Sequence, residues 1–170
     1  VRATGNGRVG VIGTVGTIQS RASDDAFAEA SGLELFSAAC PRFVEVVEAG
    51  VTSGPELFAA AEEYLDPLRG AGIDTLVLGC THYPLMSAAI QYVMGQDVRL
   101  VSSADETAAD LYRVLVSNGL ERRSPEPPTH TFESTGADEA AFRRLAARFL
   151  GPEVTRVDTF ETGAITLPQA

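Results

Sequence analysis

The chain has 170 residues, 45% of them apolar, which suffices for one full domain, or parts of two, with a genuine core. Thirteen basic against 23 acidic residues leave a net charge of −10, which argues against nucleic acid and anionic membranes as partners. No apolar run is long enough to span a bilayer, no charged-then-apolar leader argues for secretion, and two cysteines without a Cys-x-x-Cys pair suggest a reducing cytoplasm.

Val1 to Arg8 is polar and turn-rich and reads as a linker. Val9 to Ile12 follows as a short buried strand, ending in Gly13-Thr14-Val15-Gly16-Thr17. Glycine there lets the backbone approach a ligand, and Thr14 and Thr17 offer hydroxyls. The pattern is neither Gly-x-Gly-x-x-Gly nor a P-loop, so an ordinary βα turn stays equally open. Residues 18–30 read as a helix with Asp24, Asp25 and Glu29 on its solvated face. Leu33 to Ser37 is a strand delivering Cys40, and the stretch from Arg42 to Gly50 carries Glu48 near its end. That glutamate is either a surface residue before a turn or a group that orients another side chain.

Residues 55–69 place Leu57, Ala61, Tyr64, Leu65 and Leu68 at helical spacing, with Pro55 near the start. Pro67 should bend or end that helix one turn early. Thr75 to Leu78 has the pattern of a strand buried on both faces. Gly79 breaks it, Cys80-Thr81-His82 turn, and Pro84 suits the first turn of a helix running to Met94, whose two methionines fill core. A thiol at the carboxyl end of a parallel strand lies where open α/β sheets bind ligands, and the following helix start would attract an anion. The two-residue spacing lets the His82 imidazole approach the sulfur, although a cysteine after a strand is more often a small buried hydrophobe.

Val98 to Val101 is a further strand, and Ser102-Ser103 cap a helix with Leu111, Val114 and Leu115 on one face, stopped by Asn118-Gly119. Glu121 to Thr129 holds three prolines and reads as a loop, with His130 exposed and inert at its exit. A strand at Thr131 to Glu133, a helix over 137–150 with Phe142, Leu145 and Phe149 inward, and an edge strand at Val154 to Phe160 complete the pattern. The last ten residues read as frayed. Strands and helices alternate throughout, so the class is α/β with a mostly parallel sheet.

The ordered string Gly-Cys-Thr-His-Tyr-Pro-Leu at 79–85 closely resembles the second catalytic-cysteine motif of glutamate racemases, in the aspartate/glutamate racemase superfamily. Ile-Gly-Thr-x-x-Thr-Ile-x-Ser at 12–20 and Ala-Cys-Pro-x-Phe-Val at 39–44 resemble further segments of that family. The resemblance implies a cofactor-independent isomerase that interconverts L- and D-glutamate and supplies peptidoglycan synthesis, without pyridoxal phosphate or metal. Two cysteines act from opposite faces of the substrate. Cys80 matches the second, Thr81 and His82 match substrate contacts, and His82 also assists proton transfer. Glu48 would orient His82, Thr14 and Thr17 would lie near the substrate carboxylate, and Cys40 would be packed rather than catalytic.

The family has two α/β lobes facing the substrate. By that pattern residues 1–97 form the second lobe, carrying Cys80, and residues 98–170 are returning elements of the first. The family's Phe-Asp-Ser-Gly and Cys-Asn-Thr motifs do not occur in this sequence. The chain by itself is therefore expected not to racemise, and its returning helices are expected to expose apolar faces. The implied partners are glutamate and either a second copy or the missing amino-terminal half. An aspartate or hydantoin racemase, or a non-catalytic amino-acid-binding fragment, stays open as an alternative.

Overall fold

The computed structural model describes residues 3–28, 30–136 and 138–160, in two compact units, Val1–Glu121 and Arg122–Ala170. Glu29 and the ten-residue tail, each with its own sequence expectation, lie outside the described residues.

The first unit runs β1 (Arg8–Gly13), α1 (Val15–Gln19), α2 (Ala22–Ala28), β2 (Glu34–Ala39), α3 (Pro41–Glu48), α4 (Pro55–Gly70) and β3 (Thr75–Leu78). A 3-10 turn (Tyr83–Met86), α5 (Ser87–Met94), β4 (Arg99–Ser102) and α6 (Ser103–Ser117) follow. The strands form one parallel sheet in the order β2-β1-β3-β4. Alternating strands and helices give the α/β class that the pattern predicts, because parallel neighbours need long crossover connections.

The core lies on the sheet face covered by α3, α4 and α5. Leu57, Ala60, Ala61 and Leu65 of α4, Ile90 of α5, and Leu76 of β3 are fully buried. Burial of each leucine or isoleucine side chain stabilises by about 1.5–3 kcal/mol. Gly10 permits this closeness: a methyl on it would stand 2.5 Å from Ile73 Cδ1 and 2.9 Å from Leu76 Cδ1. Met86 and Met94 are buried in the core, as expected. The opposite sheet face is less covered. There Val77 is half-buried beside an open groove of about 550 Å³ lined by Val9, Phe27, Thr75 and Val101. Burial of β3 on both faces is therefore only partly realised.

Two local expectations are corrected. The helix over 18–30 is two helices, broken where Arg21 adopts a left-handed φ of 55° and the Ser20 hydroxyl donates back to the Thr17 carbonyl at 2.8 Å. Helix α4 continues through Pro67 to Gly70. The missing amide strands only the carbonyl of Glu63, which is on the exposed side and open to water. The compact units divide between Glu121 and Arg122, and β4 pairs with β3 within the first of them.

The second unit holds β5 (Glu133–Ser134), α7 (Glu139–Leu150) and β6 (Asp158–Thr159), with β5 and β6 parallel. The Asp138 carboxylate accepts from the Ala141 amide at 2.8 Å and caps α7. Ala146, Val154 and Val157 make a small core with Phe132 and Ala147 packed on it. Phe142, expected inward, is exposed, because so few apolar groups cover only part of the helix face. His130 is exposed, as expected, and lies 3.7 Å from Glu153.

Candidate active site

The carboxyl ends of three strands meet along one edge of the sheet. Gly13 is in register with Ala39, and Ile12 with Leu78, so Thr14, Cys40 and Cys80 all leave the sheet there. Gly79 donates its amide to the Ile12 carbonyl at 2.8 Å, and a Cβ on Gly79 would lie 2.9 Å from that same oxygen. Glycine is thus required for the backbone to turn so close to β1. The chain reverses through Cys80-Thr81-His82, the Tyr83 amide donating to the Cys80 carbonyl at 3.2 Å. Pro84 then sits in a tight 3-10 turn, and the regular helix begins at Ser87 rather than at Pro84.

Cys80, His82 and Glu48 stand in a line. The half-buried Cys80 Sγ is 3.7 Å from His82 Nδ1, and His82 Nε2 is 3.1 Å from Glu48 Oε1. Glu48 is the last residue of α3, so the carboxylate arrives from a different element. An Nε2–H donated to Glu48 leaves Nδ1 able to accept the thiol proton. A doubly protonated imidazole would instead donate to both neighbours, so the same geometry serves either direction of transfer.

Thr14 caps α1. Its hydroxyl oxygen accepts from the Thr17 amide at 3.3 Å and lies 2.9 Å from the Thr17 hydroxyl. The pair therefore forms one polar spot where β1 ends. Thr81 is exposed in the turn. Cys40 is fully buried, its thiol weakly directed at the Ala38 carbonyl, and burial pushes that thiol up to about 12. It is a packed residue, as the resemblance implied. Among the described residues, no group of three or more His, Cys, Asp or Glu is gathered as metal ligands would be.

Two contributors were missed from the sequence. The Ser103 hydroxyl donates to the Leu78 carbonyl at 2.7 Å, pinning the end of β3 just before the turn, whereas Ser102 is the residue that caps α6. Tyr83 is fully buried and donates its hydroxyl to the Cys40 carbonyl at 3.1 Å. Burial first, then Cys40 and Cys80 nearby, raise its phenol above the usual range. A large aromatic directly after the turn histidine was the available signal.

The profile described as Asp/Glu/Hydantoin racemase matches residues 1–111. A glutamate racemase of Leifsonia xyli subsp. xyli is 64% identical over 148 residues, covering 87% of this chain and 54% of its own length. A solved glutamate racemase from Francisella tularensis, in complex with D-glutamate, superposes with a TM-score of 0.82 at 31% identity, over 91% of this chain and 58% of that one. A glutamate racemase isoform from Bacillus anthracis superposes with a TM-score of 0.79 at 37% identity, over 96% and 60% of the two chains. The chain spans little more than half the length of these relatives.

Proposed function

The chain belongs to the Asp/Glu/hydantoin racemase family, and on that premise we propose that it supplies one proton-transfer face of a glutamate racemase. The line from Cys80 through His82 to Glu48 at the sheet's carboxyl edge carries this reading. In one direction the Cys80 thiolate takes the α-proton: the S–H bond forms as the Cα–H bond breaks, and the electron pair spreads into the substrate carboxylate. In the other, the Cys80 thiol returns a proton to the planar carbanion. The second thiol comes from the part of a full-length racemase that this chain does not span, and acts on the opposite face.

His82 accepts or returns the thiol proton, and Glu48 fixes its tautomer. Thr81 and the Thr14–Thr17 hydroxyls bind the substrate, the latter pair at its carboxylate, where donors aimed at developing charge lower the barrier. The relatives named above favour glutamate over aspartate or a hydantoin. The product would feed peptidoglycan synthesis in a reducing cytoplasm, where a free thiol persists. Residues 1–97 are the Cys80 lobe in this reading, and residues 98–170 return to the other lobe, met by the missing half or a second copy.

The test follows the α-proton of L-glutamate in deuterated water. The chain alone should neither exchange nor racemise, and adding the amino-terminal half should restore both. Cys80→Ser in the combined protein should lower turnover by at least about 10²-fold, the contribution expected of a positioned acid/base. Unchanged turnover sinks the assignment. Binding of glutamate without exchange in the combined protein would instead favour a non-catalytic amino-acid-binding role.

A further inference from the structure

Helix α3 delivers Glu48 from its last residue, so the relay depends on how that helix is set at its other end. The first turn of α3 is gripped by one side chain. Tyr83 donates its hydroxyl to the carbonyl of Cys40, the residue before Pro41, and its ring meets the Phe43 ring edge-on at 5.4 Å. Phe43 in turn packs edge-on against Tyr64 at 5.5 Å, which anchors this grip in α4. Tyr83 also follows His82 directly in the chain. One residue thus touches the near end of α3 while its neighbour receives the carboxylate from the far end.

Satisfying a buried carbonyl does not explain the hydroxyl. The Cys40 carbonyl already accepts from the Phe43 amide at 3.2 Å, and a phenylalanine would pack the same ring without burying a phenol. What the additional bond supplies is position. An eight-residue helix is about 12 Å long, so a small tilt at its first turn moves its last residue appreciably. The 3.1 Å contact between Glu48 and His82 has little room for that.

We infer that Tyr83 is a positioning residue for the proton relay: its hydroxyl bond to Cys40 and its ring contact with Phe43 set α3 so that Glu48 meets His82 and His82 meets Cys80. This role rests on the reading of those three residues as the acid/base line, but it can be read without racemisation.

The experiment measures iodoacetamide alkylation of Cys80 in the 170-residue chain, by peptide mass, with Glu48→Gln introduced alone and together with Tyr83→Phe. Glu48→Gln should change the rate about fivefold when Tyr83 is present and less than about twofold when it is replaced, a coupling of the size contacting residues show. The melting temperature of Tyr83→Phe should stay within a few degrees of the unaltered chain. A purely structural tyrosine would lower the melting temperature and leave the Glu48→Gln effect at full size, which overturns the inference. No effect of Glu48→Gln in the unaltered chain overturns the relay itself, and this role with it. Should Tyr83→Phe fail to fold, Phe43→Leu removes the ring contact and keeps the hydroxyl. It should also weaken the Glu48→Gln effect, and full retention of that effect again overturns the inference.

Discussion

The two cysteines leave β2 and β3, the strands on either side of β1, at the same sheet edge yet have opposite environments. Cys40 has no exposed surface, whereas Cys80 is half-buried in its turn. Iodoacetamide near neutral pH should therefore label Cys80 in the native chain and reach Cys40 only after unfolding, which peptide mapping would reveal. Equal native labelling would contradict the burial of Cys40. Its thiol is raised from 9.0 to about 12 by desolvation, so the folded state holds a proton that the unfolded state releases. That contribution is complete below about pH 9 and is lost as pH rises toward 12. Alkaline denaturation should flatten in Cys40→Ala. Asp74 behaves in the opposite sense. The Thr4 hydroxyl most of all, with the Asn6 and Gly5 amides and the Thr75 hydroxyl, lowers its carboxyl from 3.8 to about 2. Its support is present above about pH 4 and is lost on acidification toward pH 2. Thr4→Val removes the largest cause and should move the acid unfolding midpoint upward; an unmoved midpoint would rule that tie out. Because Asp74 is only half-buried, the shift should be small.

At the level of elements, most strands and helices could be read from periodicity, and the misses have physical causes. A pattern of apolar residues does not reveal that Arg21 turns left-handed, since that depends on hydroxyl bonds from Ser20. Arg21→Gly should hold or raise stability by up to about 1 kcal/mol, because glycine adopts that conformation without a Cβ clash. The site was legible in part: Cys80, His82 and Glu48, chosen from the sequence, stand in line, but the sequence cannot say that a helix ending at Glu48 points back at the turn. Nor does local spacing expose Tyr83, whose hydrogen-bond partner lies 43 residues away. Gly79→Ala tests the strand-to-turn junction. A methyl pressed on the Ile12 carbonyl should cost about 1–3 kcal/mol in urea unfolding, and a neutral result would show that β1 and β3 can separate there.

Across the whole chain, amphipathic pattern and actual coverage part company. Helices α4 and α6 both carry apolar residues at helical spacing, yet α4 has five buried residues and α6 has none among the described residues. Leu111, Tyr112, Val114 and Leu120 stand exposed. Spacing says which side of a helix is apolar and cannot say what lies opposite. Leu65→Ala should therefore cost about 2–5 kcal/mol, whereas Leu111→Ala and Val114→Ala should each change stability by less than about 0.5 kcal/mol. Comparable losses at the two helices would show that α6 is covered in solution.

The strand order also governs when chemistry can begin. β1 and β3 are neighbours in the sheet although four helices and β2 separate them in the chain, so their pairing closes a long loop and is slow to nucleate. The hydrogen bond from the Gly79 amide to the Ile12 carbonyl forms only when that loop shuts, at the residue preceding the reactive cysteine. During refolding the thiol turn is thus among the latecomers. Pulse-labelled hydrogen exchange should record protection at Gly79 only as the central strands dock, and a nascent chain would keep Cys80 unpartnered until then.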